Sequence, residues 1–147
     1  MNSGIINPRN LKEFQKMTSG KDKVIVEGYN EEVNRIALES RKTSILLNPE
    51  RYYGKDKMDY RDSGLNDVLC KLASRNKIAV GWGIDYLMGL NNEGFINKLG
   101  KIIQNVKLCN KYKVKMVILD RDGRNEKDLK GFGLCIGIKP GFEVIKC

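Results

Sequence analysis

Histidine is absent from the 147 residues. That removes the usual general base, proton shuttle and commonest metal ligand, and with it the ordinary serine and cysteine triads. A self-sufficient enzyme is a poor fit. The four cysteines, Cys70, Cys109, Cys135 and Cys147, include no C-x-x-C pair, so neither a zinc knuckle nor a redox motif is expected. They read as small buried hydrophobes in a reducing compartment. No apolar run approaches the roughly 18 residues of a membrane span. The first residues, Met1-Asn-Ser-Gly-Ile-Ile-Asn-Pro8, lack a basic stretch followed by an apolar one, so no signal peptide and a cytoplasmic location are expected. Aromatic residues make up 7% of the chain, and no strand carries the aromatic-rich signature of an RNA-recognition motif. Stacking of unpaired bases is therefore not the expected mode. No G-x-x-x-x-G-K-[ST] loop occurs. Gly81-Trp-Gly-Ile-Asp-Tyr86 and Gly131-Phe-Gly-Leu-Cys-Ile136 both lack the third glycine of a dinucleotide fingerprint.

What is present is positive charge. Twenty-seven Lys and Arg stand against 18 Asp and Glu, a net +9. Such an excess favours polyanionic partners, nucleic acid most commonly, although a merely lysine-rich soluble protein has the same balance. Hydrophobic content of 41% and charged content of 31% fit one globular α/β domain over residues 1–147.

The hydrophobic pattern alternates short strands with helices. Strands are predicted at Val24–Glu27, Ile45–Leu47, Lys77–Val80 and Val114–Leu119, and helices at Glu31–Leu38, after Ser63, from Asn91 or Asn92, and over Phe132–Ile138. Ile5-Ile6 and Arg9–Met17 form one more short pair. Ser63 is the expected cap of a helix whose inner face is Leu65, Val68, Leu69, Leu72 and Ala73. The long helix buries Phe95, Leu99, Ile102, Ile103, Val106 and Cys109 and spreads Lys98, Lys101, Lys107 and Lys111 over its other face. Residues 50–62 read as a polar loop. About five βα units result, in a largely parallel sheet and short of the eight of a full barrel.

Asp120-Arg-Asp-Gly123 follows the strand Met116–Leu119 and resembles the first motif of haloacid-dehalogenase phosphatases, in which the first Asp is the nucleophile and the second an acid/base. A small metal-dependent phosphatase using Asp120 and Asp122 is therefore one alternative, although 24 residues leave no room for that family's later motifs. The competing expectation is a solvated strand-end loop. Asp85, at another strand end, is expected to be solvated or paired with nearby lysines. Among the cations, Arg35, Arg61, Arg75, Lys101, Lys107 and Lys111 are candidates for phosphate contact, because charges on rigid helices set register on RNA without reading sequence. A generic α/β RNA-binding scaffold is the second alternative.

Four segments, taken in order, resemble the ribonuclease P protein component 3 family. They are Val24-Ile-Val-Glu-Gly28 with Asn34-Arg35-Ile-Ala37, Arg61–Leu69 with Lys71-Leu-Ala73, Gln104–Tyr112 with Val114 and Met116–Ile118, and Phe132–Gly137. The resemblance implies a TIM-barrel-like fold related to amidohydrolase and PHP-type phosphoesterase barrels. It implies a protein that is not catalytic alone and has no catalytic or metal-binding residues of its own. Such a protein supports the ribonuclease P RNA in removing the 5′ leader of precursor tRNA. It further implies Mg2+ for the RNA-catalysed step with no cofactor on the protein, component 2 as direct partner alongside other ribonuclease P proteins, and no membrane association. The chain departs from the family pattern in three places. It begins near where the family has completed its first strand or two. The segment from Arg121 to Lys130 runs almost directly into the last helix, and Asn92 to Asn97 stand where arginines are expected. A reduced or incomplete barrel follows, with an open edge for a partner to cover.

Overall fold

Among the described residues, all five α-helices begin on an asparagine. The side chains of Asn10, Asn30, Asn66, Asn91 and Asn125 accept hydrogen bonds from the backbone N–H groups of Glu13, Val33, Leu69, Gly94 and Lys127 at 2.7–2.9 Å. Each thereby satisfies a donor that the first turn would leave orphaned. The computed structural model describes residues 4–52 and 62–147. The elements are β1 (Ile5–Ile6), α1 (Leu11–Thr18), β2 (Val24–Glu27), α2 (Glu31–Glu39), β3 (Thr43–Leu47), α3 (Asp67–Arg75), β4 (Ala79–Gly83), a 3-10 turn (Tyr86–Gly89), α4 (Asn92–Lys111), β5 (Met116–Asp120), α5 (Glu126–Cys135) and β6 (Glu143–Lys146).

The six strands of the described residues lie in the order β1-β2-β3-β4-β5-β6, every pairing parallel. Sequential parallel neighbours require right-handed crossovers, which place every helix on one face. Phe14, Leu38, Leu69, Ile102, Val106 and Leu129 from the helices meet Val24, Val26, Leu46, Val80, Trp82 and Ile118 from the sheet in the larger apolar cluster. The apolar cluster on the opposite face, among the described residues, is made of strand residues: Ile25, Ile45, Leu47, Ala79, Val117 and Leu119, with Ile5 and Ile145 at its margins. Gly81 lets that inner layer close, since a Cβ there would lie 2.9 Å from Val117 and 3.0 Å from Ile45. The architecture is the predicted reduced TIM-barrel type. Among the described residues the sheet does not close, and β1 and β6 are its edges.

Several local expectations are corrected. Asn66, not Ser63, caps α3, and the Ser63 hydroxyl donates to the carbonyl of Leu65 instead. Val68 consequently points outward and is 53% exposed. The strands expected from Lys77 and Val114 begin two residues later, at Ala79 and Met116. Lys77 and Lys113 adopt left-handed backbone (φ 56° and 57°), and Ile78 N and Val114 N donate to Ala73 O and Cys109 O, closing the preceding helices. The last helix starts at Glu126 rather than Phe132, and β6 follows it, paired with β5. Cys70 and Cys109 are buried as expected, whereas Cys135 and Cys147 are exposed.

Candidate nucleic-acid interface

In a parallel barrel the loops after the strands gather at one rim, where ligand groups collect. Here that rim carries a row of arginines and tyrosines. Arg9 follows β1, Tyr29 follows β2, Arg51 and Tyr52 follow β3, and Tyr86 follows β4. The Arg9 guanidinium lies 5.3 Å from the Tyr29 ring centroid, and Tyr29 meets Tyr52 edge to face at 4.9 Å. The Arg51 guanidinium lies 5.5 Å from Tyr52 and 5.2 Å from Tyr86. All are within cation–π or aromatic reach. Arg51 is also ion-paired with Glu27, at the end of β2.

Beneath this row lies a buried polar cluster. Residues 50–62 were expected to form a polar loop, yet Glu50 is fully enclosed. Its carboxylate accepts from Trp82 Nε1 at 3.0 Å and from the Tyr86 hydroxyl, and Lys98 Nζ donates to its carbonyl at 3.0 Å. Burial pushes the Glu50 carboxyl up to about 7 against the pull of Tyr86, Trp82 and Lys98, and burial beside Glu50 raises the Tyr86 phenol well above its ordinary range. Burial lowers Lys98. Asn34 ties the loops together: its Nδ2 donates to Gly64 O at 3.0 Å and Pro49 O at 3.3 Å, and its Oδ1 accepts from Tyr29 N at 3.0 Å. Gly64 permits this approach. Its φ is 86°, and a Cβ would fall 2.1 Å from Pro49 O.

The sequence-predicted cations divide. Arg75, Lys107 and Lys111 are exposed on α3 and α4. Lys111 and Lys71 both lie over the Tyr112 ring, at 5.2 and 5.6 Å, which joins the two helices in one basic face. Lys71 and Arg75, and Lys107 and Lys111, are i,i+4 neighbours. Arg35 is exposed but paired with Glu39 at 2.9 Å. Lys101 does not project from the helix surface. It is fully buried and donates to Asp62 O at 2.7 Å, because its position faces the loop before α3. Arg61 lies outside the described residues.

Asp120 is 2% exposed rather than solvated. Its carboxylate accepts from Asp122 N at 3.1 Å and Arg124 N at 2.8 Å, and Arg124 binds Asp122 at 2.6 Å. Burial works to raise the Asp120 carboxyl, but these N–H groups and the charges of Lys146 and Arg124 outweigh it and hold it below its ordinary value. Asp85 pairs with Arg121 at 3.2 Å, not with a lysine. Among the described residues, no three carboxylate or thiol side chains gather as a metal would need. Arg9, Tyr29, Arg51, Tyr52 and Tyr86 escaped the sequence reading. The available signal was their place, each within a few residues of a strand end.

The fold and these surfaces define an open, TIM-barrel-like α/β protein with two cation-rich faces. A chain from the cryo-EM structure of archaeal ribonuclease P with mature tRNA shares the fold, with a TM-score of 0.71 and 24% identity over 90% of this chain and 58% of that one. No family model matches. The chain is 37% identical to ribonuclease P protein component 3 of Methanosarcina mazei over 103 residues, 70% of this chain and 40% of the relative. It is 35% identical to the Methanosarcina acetivorans protein of that name over 113 residues (76% and 44%) and 30% identical to that of Methanococcus maripaludis over 142 (88% and 57%). It is thus a homologue of ribonuclease P protein component 3, the family its segments resemble, and spans about half the length of the curated relatives it matches.

Proposed function

We propose that the chain is a protein subunit of ribonuclease P, binding the catalytic RNA and supporting removal of the 5′ leader from precursor tRNA, inert by itself. The similarity to component 3 relatives over 70–88% of the chain carries this reading. The net charge of +9 and the basic face on α3 and α4 support it. Lys71, Arg75, Lys107 and Lys111 neutralise phosphates, while Lys101 holds the fold. Magnesium belongs to the RNA in this reading, and the protein holds no cofactor. Component 2 is the direct protein partner, with other ribonuclease P proteins beyond it, and the strand edges at β1 and β6, unpaired among the described residues, suit such company. No helix among the described residues is long and apolar enough to cross a membrane. The assembly in this reading is cytoplasmic.

Reconstitution of precursor-tRNA cleavage with the cognate RNA and partner proteins, with and without this chain, tests the reading. A raised rate or a lowered magnesium requirement is expected. Identical kinetics in both arms would overturn it.

A further inference from the structure

The basic face on α3 and α4 sits at the helix C-termini. These helices run against the strands, so that face lies at the opposite end of the sheet from the rim bearing the Arg–Tyr row. The rim therefore needs its own account. Its inner end is anchored: Arg51 by Glu27, and Tyr86 by the buried Glu50. Its outer end is open among the described residues. Tyr52 is 48% exposed, and Arg9 is exposed with its guanidinium over Tyr29, the Glu13 carboxylate accepting from its backbone N–H at 2.7 Å rather than from the guanidinium. An aromatic ring left half in water, with the Arg51 guanidinium beside it and its edge on a second ring that carries Arg9, is poor packing and a good ligand surface. Rings and guanidinium planes both accept an unstacked base, and the cationic edges take its phosphate.

Taking RNA as the partner, as above, we propose that Arg9, Tyr29, Arg51 and Tyr52 form a docking platform for unpaired RNA, separate from the lysine-rich face that follows a phosphate backbone. One base stacks on Tyr52 and Arg9 holds the adjoining phosphate. A duplex keeps its bases stacked inside and cannot use the platform.

Fluorescence anisotropy with the full chain and two probes decides this: a labelled, unstructured oligouridylate and a blunt RNA duplex with the same number of phosphates. Tyr52→Ala should weaken the oligouridylate about tenfold, within the range for loss of one stacked base. It should leave the duplex within about twofold. Tyr52→Phe keeps the ring and should bind like the unaltered chain, and Arg9→Gln should weaken the oligouridylate alone. Thermal melting confirms that each surface variant is folded. Unchanged oligouridylate binding by Tyr52→Ala, or an equal loss for both probes, would overturn the platform. If Lys107→Glu still weakened the duplex in that case, the RNA-binding reading would stand without the platform. No binding of either probe by the unaltered chain would sink both.

Discussion

Trp82 Nε1 donates to Glu50 Oε1 at 3.0 Å inside a fully buried site. This bond joins β4 to the segment after β3, and the Tyr86 hydroxyl and Lys98 complete the cluster beneath the Arg–Tyr row. A carboxyl enclosed in this way is harder to ionise than one in water, and Arg51, its chain neighbour, therefore stands on a pH-sensitive base.

The pH dependence has a definite sign. The Glu50 carboxyl titrates at about 7 in the folded chain against 4.5 ordinarily. The stability it contributes is full below about pH 4.5 and is lost as the pH rises through about 7, a change of about 3 kcal/mol. Glu50→Gln keeps the shape and a carbonyl oxygen for Trp82 without the charge. Urea midpoints measured across that window should fall with pH in the unaltered chain relative to the variant, and the variant should be the more stable at pH 8. Parallel curves would show that Glu50 does not titrate there.

Asn34 and Arg35 are adjacent but do different work. Asn34→Ala strands three backbone groups in the interior, a loss of about 3 kcal/mol. Arg35→Ala removes one exposed i,i+4 pair and should cost under about 0.5 kcal/mol. Chemical denaturation of the two variants side by side checks the contrast.

The same pair shows what was legible in sequence. The Asn-Arg helix is legible to within a residue of its observed end, the long α4 is legible at its start, and the largely parallel sheet is legible as a class, because strong apolar periodicity decides such elements. Which polar residue faces inward was not legible. Lys101 and Lys107 carry the same charge on the same helix, and only the loop packed against α4 makes one a buried donor. Glu50 looked like loop because its partners, Trp82 and Tyr86, stand more than 30 positions along the chain. β6 was missed because Glu143–Lys146 offers just two apolar residues, held by pairing to β5.

Lys107→Glu and Lys111→Glu should each weaken RNA binding and reduce the logarithmic salt slope by about 1, the signature of a lost phosphate contact. Lys101→Gln should leave the slope unchanged and lower the melting temperature, since it removes a buried donor to Asp62 O. Titrations at several salt concentrations separate the two classes. A flattened slope with Lys101→Gln and none with Lys107→Glu would reverse the assignment.

Asp120 tests the remaining alternative, a phosphatase built on the Asp120-Arg-Asp-Gly123 run. A nucleophile must present a free oxygen to phosphorus, yet both Asp120 oxygens accept backbone N–H bonds and Arg124 stands between Asp120 and Asp122. This is the chemistry of a loop clamp. Asp120→Asn should therefore leave phosphate-ester hydrolysis by the purified chain at background with magnesium present, as the unaltered chain does, and should destabilise the fold instead. The sign follows from the lowered carboxyl. Its contribution is present above the ordinary carboxylate value of 3.8 and is lost as the pH falls through its folded value. The stability gap between the unaltered chain and Asp120→Asn should be open at pH 7 and close on acidification. Hydrolysis by the unaltered chain that Asp120→Asn abolished would instead restore the catalytic reading.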